Sequence, residues 1–135
     1  MKDKYLRLAL RRIDCTEYSG SIQHKHAAVI AKGRRVLAIG RNRAKTHPSS
    51  TEVDDDGNRF CRSIHAEMDA ISKVKNKEML KGATIYVARK GKTGEQGMSC
   101  PCRMCQDEIN KYGLKRAVFT TKHGSGILEF TGDNE

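Results

Sequence analysis

The 135-residue chain has no tryptophan, four tyrosines, three phenylalanines and two prolines. So few aromatic rings leave little for single-stranded nucleic acid to stack on. Its longest apolar runs, such as Val36 to Ile39, fall far short of the ~20 residues that a membrane span needs. The mean hydropathy is −0.68, and the chain starts with the charged stretch Met1-Lys2-Asp3-Lys4. We therefore expect no membrane partner and no secretory signal, and a cytoplasmic location.

The length is that of one domain on a scale of ~100–200 residues per domain, here residues 1–135. A chain of this size buries roughly two-thirds of its unfolded surface, so it can fold without disulfide staples. In excess is positive charge: Lys and Arg number 26 against 16 Asp and Glu, a net +10. Such a field draws polyanions or phosphorylated small molecules. Because aromatic platforms are scarce, a small anionic ligand is expected ahead of nucleic acid. Five cysteines stand at Cys15, Cys61, Cys100, Cys102 and Cys105, an odd number that resists complete pairing. In a reducing compartment thiols serve as ligands or packing, and three of these lie close together in sequence.

Residues 4–15 place Leu6, Leu10 and Ile13 at helical spacing with arginines on other faces, which predicts an amphipathic helix. His26 to Lys32 and Val36 to Ile39 read as two strands of a hairpin turning at Gly33-Arg34-Arg35, with Gly40 ending the second. Residues 41–62 lack periodicity and read as a long loop. Ile64, Met68, Ile71 and Val74 predict a second helix running to about Lys77, with Ser63 as its N-cap. Ala83 to Ala88 reads as a third strand, followed by a Gly- and Lys-rich loop over 89–98. Pro101 then opens a third helix that carries Cys105, Ile109 and Tyr112 on one face and stops at Gly113. Leu114 to Thr121 reads as a strand parallel to the third, because the connection between them is a helical crossover. Ile127 to Phe130 is either a short edge strand or irregular. The fold class expected is α/β, a three-layer α/β/α arrangement around a mixed sheet of four to five strands.

Two clusters carry chemistry. His65-Ala66-Glu67 opens the second helix. Positions two apart lie about 200° apart on a helix, yet at the first turn both side chains can converge on something beyond the helix end. Pro101-Cys102-Arg103-Met104-Cys105 opens the third. Thiols at i and i+3 share a helical face, and the positive N-terminal end favours thiolates. Alone, this cluster also suits a redox dithiol or two buried thiols. One histidine and two cysteines together make three zinc ligands, and three protein ligands with an open fourth place mark a catalytic zinc site. Zinc acidifies a bound water, and Glu67 is the candidate proton shuttle. H-x-E followed by P-C-x-x-C is the signature of zinc-dependent base deaminases.

The chain thus resembles the cytidine and deoxycytidylate deaminase superfamily over roughly residues 20–121. The likeness rests on the order of elements, Gly40-Arg41-Asn42 after the second strand, Ser63-Ile64-His65-Ala66-Glu67, and Ser99-Cys100-Pro101-Cys102-Arg103-Met104-Cys105. It implies a cytidine-deaminase-like fold, with Zn2+ as the cofactor, held by His65, Cys102 and Cys105. It also implies Glu67 as the catalytic carboxylate, a base pocket lined around Ala28, and a sugar contact from Asn42. The flavour is closest to the deoxycytidylate-type enzymes. The implied reaction is hydrolytic deamination of a free cytosine nucleotide, dCMP to dUMP. Deamination of cytosine or adenine in nucleic acid and a non-catalytic zinc scaffold are the alternatives. Homo-oligomers whose neighbours complete one another's pockets are also implied. After Asn42 this chain reads Arg43-Ala44-Lys45-Thr46-His47-Pro48, not the subfamily's short Gly-Thr/Ser-Pro pattern. Arg41 and Arg43 are the expected phosphate contacts.

Other chemistry-bearing residues read as bystanders. Cys100 falls outside the Pro-Cys-x-x-Cys register. Cys61 reads as a packing thiol or, with His47, part of a second metal site. Cys15 packs under the first helix. His24 and His26 read as ordinary polar residues, with His26 facing the pocket as the alternative, and His123 sits in a Gly-flanked turn. Asp54-Asp55-Asp56-Gly57-Asn58 resembles a calcium loop, but its glycine is misplaced and its twelfth position is His65, so calcium is rejected.

Overall fold

The computed structural model describes residues 4–14, 25–41, 43–44, 51–53, 59–61, 63–91 and 95–130. Helix α1 spans Lys4–Asp14. Strands β1 (Lys25–Lys32) and β2 (Arg35–Arg41) follow, then the short strands β3 (Arg43–Ala44), β4 (Thr51–Val53), β5 (Arg59–Cys61) and β6 (Ser63–Ile64). Helix α2 spans Ala66–Lys73, a 3-10 turn covers Lys77–Leu80, and β7 spans Thr84–Lys90. Helix α3 (Arg103–Lys111), β8 (Arg116–Thr120) and β9 (Ser125–Glu129) complete the chain. Among the described residues no helix is long and apolar enough to cross a membrane.

Five strands form one sheet in the order β2-β1-β7-β8-β9. β1 pairs antiparallel with β2 and with β7, β7 and β8 run parallel across the α3 connection, and β9 closes the edge antiparallel to β8. The sheet is mixed, as expected, and the parallel pair falls where the helical crossover requires it.

Strand side chains alternate between faces, and this alternation sorts the core into two layers. Ala27, Val29, Ala88 and Val118 point to one face and are covered by Leu6, Ala9 and Ile13 of α1. Ala28, Ile30, Ile85, Val87, Ala117 and Phe119 point to the other, where Ala66, Ala70 and Ile71 of α2 and Ile109 of α3 cover them. Full burial of a Leu, Ile or Val contributes about 1.5–3 kcal/mol. The buried stripe of α1 runs through Ala9, whereas Leu10 lies half-buried beside it.

Several sequence expectations need correction. The second helix begins at Ala66, and Ser63 lies in β6, paired with Ala44, so it is not the cap. Pro101 lies one residue before the α3 N-cap, Cys102, and does not open the helix itself. The stretch 41–62 contains backbone pairing: Arg43 opposes Ile64, and Thr51–Val53 pair with Arg59–Cys61. β2 does not end at Gly40 but runs on to Arg41. Ile127 and its neighbours form the edge strand β9. Gly113, with φ of 80°, follows the last turn of α3 in a conformation that glycine adopts without a Cβ clash.

Candidate active site

The chemistry gathers where α2 and α3 both begin. His65 is the N-cap of α2 and Cys102 the N-cap of α3, and neither side chain makes a capping hydrogen bond. Residues at this position ordinarily satisfy the first helical N–H groups. Here both side chains are turned to each other. Cys102 Sγ lies 3.6 Å and Cys105 Sγ 3.3 Å from His65 Nδ1. All three ligand atoms fall within 4.8 Å of one another. Two helix N-termini converge on this point, and their dipoles favour negative charge there.

Glu67 is the second residue of α2, and only 6% of its surface is exposed. Burial raises its pKa above the ordinary carboxylate value, outweighing a backbone hydrogen bond, the neighbouring His65 and Cys105, which lower it. Cys105, in the first turn of α3, is fully buried. Its thiol pKa is pushed up, first by burial and then by the nearby Glu67 charge. His65, Glu67 and Cys102 line a cavity of about 220 Å³.

The profile of the cytidine and deoxycytidylate deaminase zinc-binding region matches residues 1–121. The chain belongs to this family. It is 24% identical over 143 residues to the deoxycytidylate deaminase of Schizosaccharomyces pombe, covering 93% of this chain and 39% of that one. The chain therefore spans less than half the length of this curated relative. Among solved structures it resembles the dCMP deaminase of cyanophage S-TIM5 in complex with dCMP and dUMP. That match has a TM-score of 0.56 and 21% identity, over 85% of this chain and 76% of that one. Its likeness to cytidine deaminase from Mycobacterium leprae has a TM-score of 0.55 at 15% identity, over 93% and 91% of the two chains. At these identities the likeness is one of fold, and it is the mixed sheet with three helices described above.

The donor set of this deaminase-family chain fits zinc, the region's metal. Zinc takes nitrogen at ≈ 2.0–2.1 Å and sulfur at ≈ 2.3 Å in tetrahedral array. Such bonds set nitrogen and sulfur ligands about 3.6 Å apart, the spacing His65 keeps with Cys102, while Cys105 lies closer at 3.3 Å. Three ligands leave a fourth place open.

The segment leading into Cys102 is tied down by a buried polar hub that the sequence did not announce. Ser99 Oγ donates to the Val87 carbonyl (2.7 Å) and accepts from the Thr120 N–H (2.8 Å). Thr120 Oγ1 donates to the Gly97 carbonyl at 2.7 Å, and Ser99 N–H donates to the Thr120 carbonyl at 2.9 Å. Ser99 and Thr120 are both buried. The ends of β7 and β8 thus fix the residues just before Pro101.

The expected substrate contacts fall differently. Ala28 is fully buried in the core beneath α2 and is not among the described residues lining the cavity. His26, two residues earlier on the same sheet face, does line it, as do Arg89, Met98 and Cys100. Arg41 opposes Ala27 across the β1–β2 ladder, so strand alternation sets it on the α1 side of the sheet, away from the cavity. Arg43 pairs through its backbone with Ile64, and its side chain lies outside the described residues. Asn42, Cys15, His24 and His47 also lie outside them, as does the side chain of Cys61. Cys100 is exposed and does not join the group of three ligand atoms. His26 at the cavity is the alternative the sequence offered, whereas Arg89 was missed although its signal was available: it lies two residues beyond the core position Val87 on a strand of period two.

Proposed function

We propose that this protein is a hydrolytic deaminase of a free cytosine nucleotide, converting dCMP and water to dUMP and ammonia. The observation that carries the reading is that the buried Glu67 lines the same cavity as His65 and Cys102, which form a ligand group with Cys105.

In this reading His65, Cys102 and Cys105 hold zinc. When bound there, zinc supplies Lewis acidity that brings the pKa of water towards ~7. Glu67 would take one proton of the water and pass it to the pyrimidine ring nitrogen, then take the second, from the added hydroxyl, and pass it to the departing amino group. Its buried surroundings suit that exchange, because they raise its proton affinity above that of an exposed glutamate. A carboxyl that accepts a proton and later gives it up serves as base and acid in turn. The ring carbon gains a bond to oxygen, its bond to the amino nitrogen breaks, and ammonia leaves. Of the two thiols that would hold zinc, Cys105 is buried and Cys102 is exposed.

A free nucleotide is favoured over an oligonucleotide because no Phe or Tyr stands among the described lining residues. Stacking on aromatic rings is how extruded and single-stranded bases are commonly held. The test is ammonia release from zinc-loaded protein over dCMP, CMP, deoxycytidine, cytosine and a cytosine-containing oligonucleotide. Turnover greatest on dCMP supports the reading. Turnover on the oligonucleotide with dCMP inert replaces it with a nucleic-acid deaminase, and no turnover on any of them makes the chain a zinc scaffold.

A further inference from the structure

The cavity has a second end that the chemistry above does not use. Arg89 and His26 are direct register partners across the antiparallel β7–β1 ladder. They stand one step beyond the buried pair Val87 and Ala28 on the same sheet face, and they line the cavity together with His65 and Glu67. Among the described lining residues Arg89 is the one with a permanent positive charge, and Glu67 is the one carboxylate.

Charge then decides where an anionic group on a substrate goes. A zinc ion's two positive charges are matched by the two thiolates that bind it, so the metal end, with Glu67 beside it, has no excess positive charge to offer a phosphate. Arg89 does. The Arg89 backbone is held by its N–H to Thr120 Oγ1 at 3.2 Å and by its carbonyl, which accepts from Gly97 N–H at 2.9 Å. Its side chain runs over Gly97, where an added Cβ would meet Arg89 Cδ at 3.4 Å. One guanidinium N–H donates to the Met98 carbonyl at 3.4 Å. Arginine carries five such donors in a planar fork that matches phosphate oxygens two at a time.

From this geometry we infer that Arg89 is the specificity-determining residue that recognises the phosphate of the substrate nucleotide, with His26 flanking it. The inference rests on the nucleotide-deaminase reading, and it transfers to Arg89 the role expected of Arg41 and Arg43. A nucleotide lies with its base towards Glu67 and its phosphate at the β1–β7 end. Met98, 51% exposed, supplies an apolar edge between them. Arg89 acts on binding and leaves the reacting atoms untouched.

The test compares binding of dUMP and deoxyuridine, measured calorimetrically, to zinc-loaded wild type, Arg89→Gln and Arg89→Lys. Charge-assisted hydrogen bonds to a fork of this kind correspond to about 10- to 100-fold in affinity. Wild type is expected to prefer dUMP by that factor, Arg89→Gln to lose the preference with deoxyuridine binding unchanged, and Arg89→Lys to fall between. Equal weakening of both ligands in Arg89→Gln, or an intact dUMP preference, overturns the assignment of Arg89 while leaving the deaminase reading in place if wild type still releases ammonia from dCMP. Wild type that binds neither ligand and releases no ammonia overturns the nucleotide reading and the subsite with it. A uracil-containing oligonucleotide that binds more tightly than dUMP, with a steep salt dependence that Arg89→Gln flattens, assigns the subsite to a nucleic-acid phosphate and contradicts the free nucleotide.

Discussion

Gly40 of β2 lies so close to Ala70 of α2 that a Cβ at Gly40 would stand 2.3 Å from the Ala70 nitrogen and 2.4 Å from the Ala66 carbonyl oxygen. Both contacts are backbone, so no side-chain rotation relieves them. Next to them the Arg41 N–H donates to the buried Asp69 carboxylate at 3.0 Å, and the same carboxylate oxygen pairs with Lys73 at 3.0 Å. Together these contacts set how α2, with His65 and Glu67 at its start, sits on the sheet. Gly40→Ala is expected to destabilise the protein by about 1–3 kcal/mol, the usual range for overpacking, and to weaken zinc binding. Urea unfolding and a zinc competition assay read the two effects. A wild-type midpoint and zinc affinity would show that α2 is not placed by this contact.

Ligand removal gives the second prediction. Purified protein should contain about one zinc per chain, and Cys102→Ser or Cys105→Ser should lose most of it, since either removes one thiolate from a set of three. Cys100→Ser should retain it, because Cys100 lies outside the ligand group. Elemental analysis decides, and stoichiometric zinc in both ligand variants would contradict the assignment.

The pH dependence of metal binding follows from Cys105. Burial and the Glu67 charge push its thiol pKa upward, so the metal-free protein keeps this thiol protonated at neutral pH, and binding must release its proton. Zinc affinity should therefore rise with pH, by about tenfold per unit for each proton released. A chelator competition series between pH 7 and 8, corrected for the chelator's own protonation, reads the slope. A flat series would mean that Cys105 is already a thiolate.

Ser99 offers a fourth test. Its hydroxyl satisfies the Val87 carbonyl and the Thr120 N–H in the interior. Ser99→Ala strands both, and a buried group left without a partner costs about 1–3 kcal/mol. Lower stability together with weaker zinc binding is expected, because Ser99 tethers the segment that delivers Cys102. Unaltered chemical denaturation of the zinc-loaded variant would show that the hub does not hold this segment.

How much of this was legible in the sequence follows from the range of the forces involved. That His65, Cys102 and Cys105 gather as a possible metal site, with Glu67 close by, was readable because metal chemistry dictates residue type and a short spacing within one helical turn. The two core layers were readable because strands of period two and a helix crossover leave one arrangement for residues 83–121. The start of α2 was misread because Ile64 extends the apolar spacing backwards, whereas the backbone of Ser63 and Ile64 pairs with β3. The pairing of Thr51–Val53 with Arg59–Cys61 was invisible, since each strand is three residues long and too short for a periodic signal. Arg41 was placed at the pocket on sequence proximity to Asn42, and strand alternation turns it to the opposite face. Arg89 was passed over because its pairing opposite His26, 63 positions away in the chain, is set by the β1–β7 register.

The most direct test of the central claim is the rate of ammonia release from dCMP by zinc-loaded wild type and by Glu67→Gln, with zinc content measured on the same samples. Glutamine keeps the shape of the side chain but cannot accept and return a proton. General acid–base transfer supplies about 10²–10⁴-fold, and here one carboxyl serves several transfers. The account predicts equal zinc in both proteins and a rate in Glu67→Gln lower by at least that factor. Undiminished release by the glutamine variant, at full zinc content, would contradict it.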